Sequence, residues 1–172
     1  MPEATLHMYG IEGMEFMLKG VQRRGSTNIG PGLEKVGEAM LRSERELFET
    51  SGASAGHPWE KLDPDTVERK RRSFAQFPEH PLIESGDLML SLSRRNHSDN
   101  IFNITRSSVY IGTRNPVAKF HQDGFDHDTS SGSEHVRARP PIMFGERDES
   151  RYAKVLGDWI FHQKLLRATR RA

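Results

Sequence analysis

A chain of 172 residues that sets 25 Lys and Arg against 24 Asp and Glu has a net charge of only +1, so no overall field directs it to nucleic acid or a membrane surface. It has no cysteine, which excludes disulfides, thiolate metal sites and cysteine nucleophiles together. The apolar fraction of 34% allows one domain with a modest core, and no apolar run approaches the ~20 residues a bilayer crossing requires. The N-terminus lacks the basic region and apolar run of a secretory signal.

Taken in order, Thr5 to Tyr9 reads as an edge strand, with Leu6 and Met8 on one face. Met14, Met17, Leu18 and Val21 have helical spacing and predict a short amphipathic helix from Glu12 to Arg23. After a turn-rich break at Gly25 to Gly32, the apolar positions Leu33, Val36, Met40, Leu41, Leu47 and Phe48 predict a long helix to Glu49. Gly52 and Gly56 end it. Residues 1–50 thus form an N-terminal unit of strand and helices.

Residues 51–81 change character. Gly56-His57-Pro58-Trp59 is a turn that carries a large aromatic, suited to plugging a core edge. Asp63 fits an N-cap and Pro64 the first helical position, so a helix is expected through Arg72. Its run Arg69-Lys70-Arg71-Arg72 could contact phosphates, but a solvated face balanced by nearby Glu accounts for it better in a nearly neutral chain. Phe74 to Pro81 holds two prolines and is expected to be irregular.

Residues 82–145 are expected to hold the sheet. Leu88, Leu90 and Leu92 alternate with Met89, Ser91 and Ser93, which suggests a strand; a short helix after Gly86 is the open alternative. Asn100 to Thr105 and Ser108 to Gly112 read as an antiparallel hairpin turning at Arg106-Ser107. The stretch Val117 to Gly124 is apolar at Val117, Ala118 and Phe120, then turns polar. Residues 124–136 have the composition of a long exposed loop, of the kind that is functional or disordered. Phe125 within it could anchor a protein contact or fold back onto the sheet. Val136 to Phe144 suggests an edge strand interrupted by Pro140-Pro141. Over residues 146–172, Tyr152, Val155, Leu156, Trp159, Ile160, Gln163 and Leu166 mark the clearest helix, capped by Asp148 or Ser150.

The chemistry sought along the chain is thin. His121, Asp123, Asp126, His127, Asp128 and His135 are metal-compatible residue types, and a metal-dependent hydrolase using His121, Asp123 and His127 is one reading. Their spacing matches no defined ligand pattern, and a solvated surface loop explains them more simply. No Gly-x-Ser-x-Gly elbow is present, and Gly30-Pro31-Gly32 lacks the lysine and spacing of a phosphate loop.

Several segments, in order, carry a resemblance. They are Gly56-His57-Pro58-Trp59 with Leu62 and Thr66, the basic pair Arg69-Lys70, and Leu82-Ile83-Glu84-Ser85-Gly86-Asp87-Leu88. They continue with Val109-Tyr110-Ile111-Gly112, Ala118-Lys119-Phe120-His121-Gln122-Asp123-Gly124 and Ala138-Arg139-Pro140-Pro141-Ile142. Together they resemble the phage virion morphogenesis family, the tail-completion proteins of the Mu G-protein type. Val117 departs from the family, standing where tyrosine is common.

The resemblance implies an α+β fold, a small antiparallel sheet packed against N-terminal and C-terminal helices. It also implies a structural role without catalysis or cofactor. The expected protein is a homo-oligomeric ring, six-fold, at the neck of the virion, completed in the host cytoplasm during assembly. Its partners would be the connector or stopper and the tail-terminator or tail-tube proteins, with DNA only as cargo passing through the lumen. A tail terminator or a head-side connector is the alternative. Trp59, Gly86, Leu88, Gly112, His121, Gln122, Gly124, Arg139 and Pro140 would be the structural positions. In this reading His121 and Gln122 hydrogen-bond backbone where a strand ends, Arg139 holds a neighbouring carboxylate, Trp59 plugs the sheet edge and Phe125 touches a neighbouring subunit.

Overall fold

The computed structural model describes residues 28–129 and 132–169. The strand expected at Thr5 to Tyr9 and the helix expected at Glu12 to Arg23 lie outside them. The fold is α+β, and the described residues form five helices, a short 3-10 turn and two separate antiparallel hairpins.

Helix α1 (Gly30–Glu49) runs through the middle of the molecule. Pro31 sits in its first turn, where a missing N–H costs nothing, and the Asn28 side chain accepts from the Gly30 N–H at 3.0 Å. Its buried face is Leu33, Val36, Met40, Leu47 and Phe48, at the predicted spacing. Two glycines let neighbours come close: a Cβ at Gly32 would lie 2.7 Å from the Trp159 ring, and one at Gly37 would lie 2.6 Å from Phe102. The helix ends with a backbone wrap in which the Gly52 N–H donates to Leu47 O at 2.8 Å.

Two clusters of apolar side chains share α1. Its N-terminal half packs with Ile111 and with Tyr152, Leu156 and Trp159 of the last helix, α5 (Glu146–Thr169). Its C-terminal end, Leu47 and Phe48, packs with Trp59, Ile83, Leu88, Leu92, Ala118 and Ile142. Asp148 serves the start of α5 from within the first turn, accepting from the Gly145 N–H at 3.0 Å. α2 (Pro64–Arg72) begins as its sequence dictates, with Asp63 accepting from the Asp65 N–H at 2.8 Å.

The segment after Gly86 is helix α3 (Asp87–Ser93), not a strand. Leu88, Ser91 and Leu92 are the buried positions, an i, i+3, i+4 set hidden inside an alternating pattern. The Ser91 backbone carbonyl accepts from Asn100 Nδ2 at 2.8 Å, and its hydroxyl accepts from Thr113 Oγ1 at 2.8 Å. These bonds tie α3 to the first hairpin, β1 (Asn100–Ile104) with β2 (Val109–Thr113), which pairs in the expected antiparallel sense.

Three further expectations are corrected. Val117–Asp123 is a short helix, α4. Beyond it, the polar segment is not irregular: β3 (Phe125–Thr129) pairs with β4 (Gly132–Val136) as a second hairpin. Polar residues suit it where Asp126, His127 and His135 are exposed, and Asp126 lies directly opposite His135, with Oδ1 and Nδ1 2.7 Å apart. The strand expected from Val136 to Phe144 is not formed: β4 ends at Val136, the Arg139 N–H turns to His121 O at 2.9 Å, and Pro140-Pro141 beyond it has no N–H to offer a ladder.

Candidate functional site

All the motif segments except Val109 to Gly112 reach one groove of about 420 Å³. α2 forms one wall through Thr66, Arg69 and Lys70; the connector from α2 to α3 forms another through Leu82, Ile83 and Gly86; α4 adds Val117 and His121, and Arg139 closes the rim. The structure therefore gathers Gly86, Leu88, His121 and Arg139 from separate stretches of sequence.

Each groove residue is held by its local backbone. Gly86 caps α3 at φ +83, a conformation that side chains with a Cβ adopt at a cost, although a Cβ there would meet nothing. Gly124 ends α4 at φ +78 and is also crowded: a Cβ would lie 2.9 Å from Val136 O and 3.0 Å from Ala138 N. The tight corner brings Arg139 back against α4, where its N–H donates to His121 O at 2.9 Å. The Arg139 side chain holds no carboxylate among the described residues. Its Nε donates to Glu60 O at 3.1 Å and Nη2 to Lys61 O at 3.5 Å, stapling the Trp59 turn to the groove rim.

His121 sits on a helix, not at a strand end. Its ring is half-buried and meets Phe125 edge-to-face at 5.7 Å, and its Nδ1 has no hydrogen-bond partner among the described residues. Burial, and then the Arg139 charge, hold the imidazole below its ordinary pKa. Gln122 donates to Ile142 O at 3.4 Å. Phe125 folds back onto α4, 5.9 Å from Phe120, while Val117 and Phe120 themselves stay exposed beside the groove.

The other nominated positions lie deeper. Trp59 is buried and meets Phe48 edge-to-face at 5.4 Å, so it plugs the end of α1 rather than a sheet edge. Gly112 is buried in β2 opposite Ile101, and Pro140 is half-buried on the way to α5. Asp123 and His127 are exposed, and among the described residues no three His, Asp or Glu side chains come together as a metal site.

Lys70 is the residue whose role the sequence conceals. It lies within a basic run yet is buried, and its Nζ donates to His80 O at 2.7 Å and Ile83 O at 2.6 Å. Burial lowers its pKa; Glu84 opposes that shift and Arg69 adds to it. The remaining cations of the run are compensated locally: Arg69 by Glu84, Arg71 by Glu79 and Arg72 by Glu68. That pattern is a balanced surface and not a phosphate-binding stripe. Glu84, Glu79 and Glu68, spaced through the same segment, were the available signal for the balance; the resemblance singled out the pair Arg69-Lys70, but nothing in the run told its buried member from its exposed one.

Among the described residues no helix is long and apolar enough to cross a membrane. Neither a curated protein nor a solved structure matches the chain. The sequence does match the phage virion morphogenesis family over residues 10–160, a span that includes every wall of the groove. With that match over most of its length, the chain belongs to the phage virion morphogenesis family and has a structural, virion-associated role in phage assembly.

Proposed function

We propose that the chain is a tail-completion or neck subunit of a tailed phage, which closes into a ring around the DNA channel and joins the head connector to the tail. The observation that carries this reading is the groove. All but Val109 to Gly112 of the segments through which the chain resembles tail-completion proteins meet at one surface, where Lys70 and Arg139 are spent on holding backbone in place. Such a surface serves recognition, and exposed Val117 and Phe120 beside it extend it with apolar area. A six-fold ring needs a heterologous contact, in which one face of each subunit meets a different face of the next. Connector or stopper on one side and tail-terminator or tail-tube protein on the other would cover the two ends of the ring. DNA would pass through the lumen without tight binding, in keeping with the locally neutralised arginines of α2.

Electron microscopy of a lysate made with this gene disrupted tests the reading. Filled heads beside separate, finished tails are expected. Abnormally long tails would favour a tail terminator, and emptied heads a head-side connector. Normal infectious particles would overturn the neck assignment.

A further inference from the structure

Phe74 is 94% exposed, the most exposed large apolar side chain described, and its backbone is left-handed at φ +56. It occupies the position after the C-cap of α2, where the Phe74 N–H donates to Arg71 O at 3.1 Å and the Ala75 N–H to Lys70 O at 3.0 Å. Helices that end in this wrap favour glycine at that position, because a Cβ is strained there. Here the position carries an aromatic ring, and the ring gains no burial in return.

The segment that displays it is firmly built. Lys70 pins its far end through His80 O and Ile83 O, Arg71 holds Glu79 at 2.6 Å, and Phe77 stacks edge-to-face on His80 at 5.7 Å. Phe77, in the same segment, is itself 40% exposed. A rigid, strained turn thus offers a projecting aromatic, the kind of anchor that dominates protein interfaces.

The same subunit carries a matching recess. The groove has apolar walls in Leu62, Leu82, Leu88 and Val117. Its rim cation, Arg139, has no carboxylate among the described residues, whereas the Phe74 turn is followed by the exposed carboxylate of Glu79. Apolar surface therefore meets apolar surface; the exposed Glu79 carboxylate, paired on its own turn by Arg71, follows the knob toward Arg139, and the groove's own acids, Glu84 and Asp87, are engaged by Arg69 and by His97 and Asn115.

We propose that each subunit inserts Phe74 into the groove of the next copy, so that one heterologous contact, repeated, closes the ring. This inference rests on the ring reading above and names the contact that would make it.

Sedimentation velocity on the purified full chain, over rising concentration, tests it with Phe74→Gly, which removes the knob, and Val117→Arg, which blocks the groove. Each variant alone should need about tenfold or more higher concentration to associate than the parent does. Phe74→Gly should melt at or above the parent, since glycine relieves the left-handed strain, so its loss of assembly would not reflect misfolding. Mixed in equal amounts, the two variants should form a one-to-one dimer and nothing larger, because one intact knob and one intact groove remain. If the parent assembles and Phe74→Gly assembles equally well, the knob is overturned and the ring stands. A parent that stays monomeric to its solubility limit would overturn both.

Discussion

Two buried ionisable side chains, Glu44 on α1 and Lys70 on α2, are held in opposite ways. At the α5 seam, Glu44 is wholly buried, and neither carboxyl oxygen has a hydrogen-bond partner among the described residues. Burial, with the nearby Asp148, raises its pKa well above the ordinary carboxylate value. In the groove region, Lys70 is also buried, but two backbone carbonyls receive its ammonium. An unpaired buried acid sheds its charge by holding a proton, while a paired buried base acts as a strut. The seam was therefore built for apolar packing and tolerates Glu44, whereas the groove depends on Lys70 to shape the connector.

Removing the strut should have the larger effect. Lys70→Met keeps the apolar stem but leaves the His80 and Ile83 carbonyls without their donor. A loss of about 2–3 kcal/mol is expected in urea denaturation, with faster proteolysis between Phe74 and Pro81. Unchanged stability would show that the connector holds its own shape.

The acid should behave with the opposite sign. Because the folded-state pKa of Glu44 is raised, its contribution is fully present below the unfolded value near 4.5 and is lost as pH rises toward the folded pKa. Parent stability should fall with pH across that window by at most about 1.4 kcal/mol per pH unit from this group. Glu44→Met should flatten the fall and be the more stable protein at neutral pH. Parallel pH profiles for the two would remove Glu44 from the account.

The smallest effect belongs to the exposed pairs common to both regions. Arg71→Ala breaks an exposed contact with Glu79 and should change stability by less than about 1 kcal/mol in thermal melts at low salt. A larger loss would mean that the pair, and not Lys70, holds the Phe74 turn.

Much of the frame was legible because single residues announce it. Asp63-Pro64 marks the start of α2, the apolar spacing of Leu33 to Phe48 marks α1, and Tyr152, Leu156 and Trp159 mark α5. The β1–β2 hairpin follows from two β-prone runs around a polar turn. The candidate site was legible only in part. Gly86, Leu88, His121 and Arg139 could be nominated one by one, but nothing in their spacing says that they line one groove. Lys70 looked like its neighbours in the basic run, and its burial depends on where the following connector folds. Phe74 drew no notice because a single aromatic between polar residues does not reveal its exposure or its backbone angle.

By itself the sequence determined the long helices and the first hairpin, since patterns sustained over several turns or paired strands leave one solution that buries the apolar face, while the α+β class was implied by the family resemblance. Tertiary structure decided the short elements. Asp87 to Ser93 and Val117 to Asp123 span seven residues each, too few for a helical and a strand period to be told apart. The core contacts of Leu88, Leu92 and Ala118 settle α3 and α4 as helices. The same contacts bring the corner at Gly124 and the Arg139 staple to one place, and so make a groove from segments that the chain keeps far apart.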